Sequence, residues 1–426
     1  MTDVVWLTSS YPWSGEPVGG IFFRAQARAL TRAGLALTVV APVPAVPWPF
    51  AHLNARWRRH SLAPRAERDG QIEVLRPRYP NVPGQPSWAM PDRFIADAAW
   101  RTRDRWPGAR IVHGHYSIIG LAARRLARHA GVPYVLTFHG SDINTWPSLH
   151  PERLDDLRAT VQGAAAVFAV SGALAERVRE LTGVEAEHLP IGVDHSAIAA
   201  AALPRSEARR ALSLRDDRLV VLFVGRLVRE KGVRELVSAV LDLGDPFAAV
   251  LVGSGPEVGW GSDDPRATGR LVYAGARTHD EVVRFMSAAD VLVLPSHAEG
   301  LPTVLVEAGS VGLPVIASGV GGIPELLGND RGVILPRVSP DSIRGALAVF
   351  ARSRERGVGA ADRLRAHVAA AYDVESNAAR LLVRYREIDP AIGRAMHARA
   401  IATSGPSRGP EVNRAGAASG TEEDGI

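Results

Sequence analysis

Short apolar runs of strand length alternate along this chain with longer stretches whose apolar positions recur at helical spacing. "DVVWLTS" leads into "GIFFRAQARALTRAG", and "LALTVVAPVP" follows. The alternation continues through "ARIVHGHY", "IIGLAARRLARHAG", "PYVLTFHG", "AAAVFAVS" and "GALAERVRELTG". Runs that are apolar at every position, and not at every second one, predict a parallel sheet covered by helices on both faces. Gly34, Gly131 and Gly183 fall where a left-handed helix C-cap is expected.

The pattern breaks after "HLPIGVD". "HSAIAAAALPRSEARRAL" reads as a connector into a short helix, and a second series begins: "LVVLFVG", "FAAVLVGSG", "GRLVYAG", "ADVLVLPS", "LPVIAS" and "GVILP". Two α/β domains in tandem are predicted, over residues 1–195 and 196–372. A helix over 373–392 is expected to return to the first domain, and residues 393–426 are expected to be a disordered tail, because Gly, Ser, Ala and charge dominate there. Ligands of open parallel sheets bind beyond the carboxyl ends of the strands. The residues that follow each strand are therefore the candidates for chemistry.

Composition changes this picture in three places. At 426 residues with 46% hydrophobic content, the chain suits two soluble domains. It has no cysteine, so disulfides and thiolate metal sites are excluded. Its opening "MTDVVWLTSSYPW" carries an acid where an export signal would be basic and turns polar at Thr8; no apolar run reaches membrane-spanning length. A cytoplasmic address is expected. The net charge of +5 is uneven: residues 50–110 hold twelve arginines against six acids, with Trp57, Trp88, Trp100 and Trp106 among them. That mixture suits contact with an anionic membrane surface at the inner face, or a solvated arginine-rich face. No nucleic-acid-binding signature accompanies it. Lys and Arg together number 50, and Lys231 is the single lysine.

Lys231 belongs to the first of four constellations. Gly225 and Arg226 follow "VVLFV", and Lys231-Gly232 opens the next helix. Glycine lets a bound group approach the backbone, and a helix start presents free N–H groups. Arg226 offers a planar fork and Lys231 a compact point charge, together a metal-free clamp for pyrophosphate. The second is "PSHAEGLPTVLVEAG", where Glu299 precedes, and Glu307 lies within, a glycine-led helix start. The N–H groups of Gly300, Leu301, Pro302's successor Thr303 and their neighbours suit an anion, and Glu307 suits two vicinal hydroxyls. The third is "TFHGSD", which places His139 and Asp142 after a strand: His139 to bond a sugar hydroxyl, Asp142 as ligand or turn former. His113 and His115 could join His139 around zinc, but no H-E-x-x-H or cysteine supports a metal. Gly19-Gly20, before the helix near Ile21, are a fourth candidate loop. A P-loop, a D-x-D metal motif and a G-x-S-x-G serine elbow are all absent from the sequence.

Taken in order, these motifs resemble glycosyltransferase family 4, retaining enzymes of the GT-B fold. The resemblance runs from about residue 4 to residue 388 and comprises Gly19-Gly20, "HGHYSIIG", "TFHGSD", "VSGALAERV", "LPIGVD", "FVGRLVREKGV", "LVGSGPE" and the long run "YAGARTHDEVVRFMSAADVLVLPSHAEGLPTVLVEAGSVGLPVIASGVGGIPELL". The opening "SSYPWSGEPVGGIFFRAQARAL" is similar to the branch that builds teichuronic acid and exopolysaccharides. The resemblance implies two Rossmann-like domains facing each other across a cleft. It implies a nucleotide-diphosphate sugar as co-substrate, a glycan, lipid-linked or small-molecule acceptor, and no metal or other cofactor. It makes Arg226 and Lys231 the diphosphate ligands, Glu307 the ribose ligand, Glu299 a group near the donor sugar, and His139 the histidine beside the reactive carbon. It places Gly19-Gly20 near the phosphates and Arg277 near the base. "EAGSVG" departs from the family in holding Gly309-Ser310 where a bulkier residue and alanine are frequent. Rival readings are a non-catalytic sugar-binding protein, a sugar-nucleotide epimerase, and a phosphorylase with Lys231 as a pyridoxal Schiff base.

Overall fold

A computed structural model describes residues 1–16, 19–46, 55–80 and 92–404. In the first half the strands are β1 (Val4–Leu7), β2 (Leu37–Val40), β3 (Val43–Ala45), β4 (Ala66–Asp69), β5 (Ile72–Leu75), β6 (Arg78–Pro80), β7 (Ile111–His115), β8 (Tyr134–Phe138), β9 (Ala166–Ala169) and β10 (Glu187–His188). Eight of them form one sheet in the order β10-β9-β8-β7-β1-β2-β5-β4, while β3 and β6 pair separately. The second half contains β11 (Leu219–Val224), β12 (Phe247–Val252), β13 (Leu271–Gly275), β14 (Val291–Leu294), β15 (Val315–Ser318) and β16 (Val333–Leu335), in the order β13-β12-β11-β14-β15-β16.

Both sheets are parallel, as continuous apolar runs require, with one exception. Strand β4 runs antiparallel to β5, with Asp69 opposite Ile72. Gly70-Gln71 forms the two-residue hairpin loop, and Gly70 takes the positive φ of 61° that such a turn needs. The two sheets reverse strand order at β1 and at β11. Chain segments leave each of these strands toward opposite sides, and the crevice this opens lies past their carboxyl ends. That is where the loops after β7, β8, β11 and β14 converge.

Three apolar clusters hold the architecture. One fills the second domain around Leu222, Phe223, Val293 and Ile316. The other two cover opposite faces of the first sheet. The helix Val374–Ile388 contributes Val374, Ala378, Leu381, Leu382 and Tyr385 to the first-domain cluster that contains Trp6 and Phe23. Truncating any one buried Leu here would cost about 2–5 kcal/mol, so the returning helix is part of that domain's core. The chain crosses between domains twice, side by side: Val193 N–H donates to Tyr372 O at 2.9 Å, and Val374 N–H to Val193 O at 3.0 Å.

One expectation needs correction. The chain is not a disordered tail from residue 393: the helix Ala391–Ser404 continues, Ile392 and Met396 are buried, and Arg399 pairs with the buried Asp3. The polar composition there reflects one solvated face, and a few apolar contacts with the first domain suffice to order it. Residues 405–426 lie outside the described residues. In the arginine-rich stretch Arg58, Arg59, Arg65, Arg68, Arg93, Arg101, Arg103 and Arg105 are exposed, while others are used inside the fold. Arg76 is buried, donates to Tyr11 O and Pro12 O and pairs with Glu67; Arg105 pairs with Glu73; Arg78 and Arg101 donate to backbone carbonyls. Trp106 is buried with its N–H on Thr102, and Trp100 stands edge-on to it. Trp88 and residues 50–54 and 81–91 of that stretch lie outside the described residues. Among the described residues no helix is long and apolar enough to cross a membrane.

Candidate active site

The cleft between the domains encloses a cavity of about 700 Å³. Gly225, Arg226, Lys231, Arg277, Glu299, Gly300, Leu301, Pro302, Thr303 and Glu307 line it from the second domain, and His139 from the first. His139 and Glu307, 168 positions apart in sequence, thus meet on one surface because both sheets aim their strand ends at it.

On the second-domain wall, the loop after β11 carries an exposed Arg226 whose guanidinium has no hydrogen-bond or ion-pair partner among the described residues. Lys231 ends a 3-10 turn, Arg229–Lys231, and Gly232 starts the helix Val233–Leu243 in the left-handed conformation, φ 69°. Any Cβ at Gly232 would stand 2.1 Å from Pro295 O, so the turn that aims Lys231 requires glycine. The Lys231 ammonium donates to Glu299 Oε1 at 2.5 Å, and Ser296 Oγ donates to the same oxygen at 2.7 Å. The helix Thr303–Val311 begins at Pro302 without a side-chain cap, leaving its N-terminal N–H groups facing the cavity. Glu307 sits within that helix; burial pushes its carboxyl above the usual range, and nearby His279 works against the shift. Glu307 also lines an adjoining cavity of about 290 Å³.

The first-domain wall is built from neutral groups. Burial holds the His139 imidazole down to about 3, so it is uncharged. Its Nε2 lies 3.2 Å from His115 Nδ1, and its backbone N–H donates to both Asp142 oxygens at 3.1 Å. Asp142 also accepts from Gly140 N–H at 2.6 Å. Burial pushes its carboxyl up to about 6 against those bonds. Asp142 is therefore the turn former that shapes "HGSD", and it does not reach the cavity wall. Gly20 opens the helix Ile21–Arg32 at φ 74°, bringing Ile21 and Phe22 to the cavity while Gly19 and Gly20 stand behind them. Pro17 and Val18 of that loop lie outside the described residues.

The walls touch at one seam. A Cβ on Gly300 would lie 1.8 Å from His139 O, which no side chain could tolerate. Beside it Glu325, from the second domain, accepts from Gly172 N–H at 2.9 Å and Ala173 N–H at 2.8 Å. This carboxylate caps the first-domain helix Gly172–Thr182, where the helix dipole favours negative charge.

Three contributors escaped sequence reading. Tyr116 follows β7 with φ 74°, unusual for a bulky residue, and its ring packs 4.8 Å from that of His139. Nothing in the sequence marks a non-glycine residue for that conformation. Ser254, in the loop after β12, and Asn144, at the end of the short helix Ser141–Asn144, line the cavity through side chains whose direction no local pattern gives. His113 and His115 are candidate metal ligands by sequence. His113 instead bonds Tyr385 and Thr137, and among the described residues no group of three or more metal-ligating side chains is arranged around a common point.

Two parallel-sheet domains meeting at their strand ends around such a cleft define a GT-B protein. Comparisons with known proteins take this further. The model for glycosyltransferase family 4 matches residues 19–197, and that for glycosyl transferases group 1 matches residues 204–361. A Bacillus subtilis (strain 168) protein, provisionally named the teichuronic acid biosynthesis glycosyltransferase TuaC, is 35% identical over 389 residues, covering 90% of this chain and 98% of the relative. The chain belongs to the family 4 glycosyltransferases. Sucrose-phosphate synthase from Thermosynechococcus elongatus superposes with a TM-score of 0.74 at 22% identity, over 91% of this chain and 100% of that one. HepE of Anabaena, solved with UDP, superposes at 0.67 and 19% identity, over 89% and 98%. These two likenesses establish the fold alone.

Proposed function

We propose that this protein transfers a glycosyl unit, with retention and without a metal, from a nucleoside-diphosphate sugar to a hydroxyl of a glycan or lipid-linked acceptor in cell-surface polysaccharide synthesis. The observation that carries the reading is the second-domain wall: an unpaired guanidinium, an ammonium and an uncapped helix start converge on one cavity. That set fits a diphosphate, and HepE and the teichuronic acid relative are consistent with the donor and acceptor classes.

In this reading the bond between the anomeric carbon and the diphosphate oxygen breaks, and its electron pair stays on the diphosphate. Arg226, Lys231 and the N–H groups at Thr303 bind that growing charge more tightly than the ground state. The acceptor oxygen bonds to the same face of the sugar, and its proton passes to the departing phosphate oxygen. Glu307 holds the ribose hydroxyls. A neutral His139 faces the sugar and adds no positive charge beside a carbon that is itself becoming oxocarbenium-like. Glu299 orients Lys231 and stands near the donor sugar. Its Oε1, bonded to an ammonium and a hydroxyl, is poorly suited to act as a nucleophile. Lys231 as a Schiff-base lysine is disfavoured for the same reason, since it lies against a carboxylate and not in an apolar pocket.

The experiment is a thermal-shift screen of nucleoside diphosphates, followed by incubation of the matching sugar donors with and without glycan acceptors and detection of released diphosphate. Stabilisation by one diphosphate and donor turnover support the reading. Binding without any turnover would instead favour a non-catalytic nucleotide-sugar binder.

A further inference from the structure

Beneath His139 lies a column of buried polar groups that the reaction above does not use. Its far end has a set direction. The Trp6 indole only donates, and it donates to the Tyr385 hydroxyl at 3.0 Å. The same hydroxyl bonds His113 Nδ1, and His113 Nε2 lies 2.7 Å from Thr137 Oγ1. Burial keeps His113 uncharged.

His115 stacks on His113, with ring centres 4.2 Å apart, and is fully buried. Its Nδ1 meets His139 Nε2 at 3.2 Å, and its own Nε2 is buried without a hydrogen-bond partner. Two neutral arrangements of this pair exist. If His139 Nε2–H donates, His115 must carry its proton on Nε2, which buries an N–H among the rings of Trp6, Phe23 and His113 with no acceptor. If His115 Nδ1–H donates, only a lone pair is left unpartnered there. Orphaned buried N–H groups are the rarer and costlier defect. In the second arrangement His139 carries its remaining proton on Nδ1, an atom with no partner among the described residues, on a side chain that lines the cavity.

We propose that His115 is a positioning residue for the transfer: it donates Nδ1–H to His139 Nε2, so that His139 presents an Nδ1–H donor, not a lone pair, to the bound sugar. The proposal rests on the reading of His139 as the sugar-side group. Because the pair is neutral, the donor is present across the physiological pH range and brings no charge to the anomeric carbon.

The test compares three substitutions. His115→Phe keeps a ring in the aromatic box but removes the donor. His115→Asn places an amide N–H near the former Nδ1, and His115→Gln reaches toward the former Nε2. Expected are a fall in kcat of about tenfold to hundredfold for His115→Phe with the donor KM changed by less than about threefold, recovery in His115→Asn, and none in His115→Gln. His115→Phe activity equal to wild type, or His115→Asn no better than His115→Phe, overturns the proposal. A second readout does not depend on turnover: multiple-bond ¹H–¹⁵N correlations of the imidazoles, with His139 identified by its loss in His139→Gln. Wild type should show the Nδ1–H tautomer at His139, and His115→Phe should shift it. An Nε2–H tautomer in the wild-type protein overturns the proposal even if no transfer activity is found.

Discussion

Replacing Lys231 by methionine keeps the stem and removes the ammonium, which separates its structural role from its role at the diphosphate. Structurally, the ammonium is one of two donors on Glu299 Oε1, with the pair 19% and 9% exposed. Breaking a fully buried pair costs about 3–5 kcal/mol and an exposed one about 0–1 kcal/mol. With water near Lys231 and the Ser296 hydroxyl still in place, the loss here is about 1–2 kcal/mol, a fall in Tm of only a few degrees. Catalytically, removing one preorganised donor to a developing anion costs about 10²–10³ in rate, or about 2.7–4 kcal/mol. Turnover should therefore collapse by far more than stability falls. The assay is release of nucleoside diphosphate from the cognate donor, beside thermal unfolding of the same preparation. Glu299→Gln added to Lys231→Met sharpens the result. If Lys231 acts on the diphosphate, the double variant stays inactive; if it merely neutralises Glu299, the double variant regains activity. Transfer by Lys231→Met within about threefold of wild type would refute the reasoning.

Other outcomes follow from the same geometry. Glu307→Ala should weaken nucleoside-diphosphate binding by about tenfold or more, since a charge-assisted bond contributes about 1.5–3 kcal/mol, and an unchanged thermal shift would count against a ribose contact. Gly300→Ala sets a Cβ against His139 O, 1.8 Å away in the unrelaxed structure, so the domains must part. Activity should be lost while each domain stays folded, with a larger radius of gyration in solution scattering; full activity would show that the seam is not needed. His113 and His139 are both held neutral by burial, each down to about 3, whereas an unfolded histidine titrates near about 6.5. Below about pH 6.5 the unfolded chain binds protons that the folded chain refuses, so folding stability must fall with pH from about 6.5 toward 3 and gain nothing from these groups above that window. Denaturant unfolding at several pH values checks this, and the slope should lessen in His113→Phe. A slope unaltered by that change would contradict the assignment.

Much of the fold was legible because its signals are local. Continuous apolar strands such as β8 and β11 need cover on both faces, and glycines at 131 and 183 end helices in the left-handed conformation. The site loops were legible for the same reason: Arg226, Lys231, Glu299 and Glu307 follow strand ends, and strand ends of parallel sheets face ligands. Asp142 shows the limit. Its spacing fitted a ligand and a turn equally, and only the positions of the His139 and Gly140 N–H groups assign it to the turn. The helix Ala391–Ser404 is a second case, since its composition looks disordered and only Asp3 and the first-domain surface anchor it.

By itself, then, the amino-acid order determined two parallel-sheet domains and which loops carry cations, carboxylates and a histidine. Those properties depend on residue types within a few positions of one another. Tertiary structure alone decided that Lys231 rests on Glu299, that Gly300 meets His139 across the cleft, that Glu325 caps a helix of the opposite domain, and that His115 bonds His139. Each joins segments distant in the chain. Their meeting depends on the angle between two sheets and the return of the helix Val374–Ile388, which no local pattern encodes.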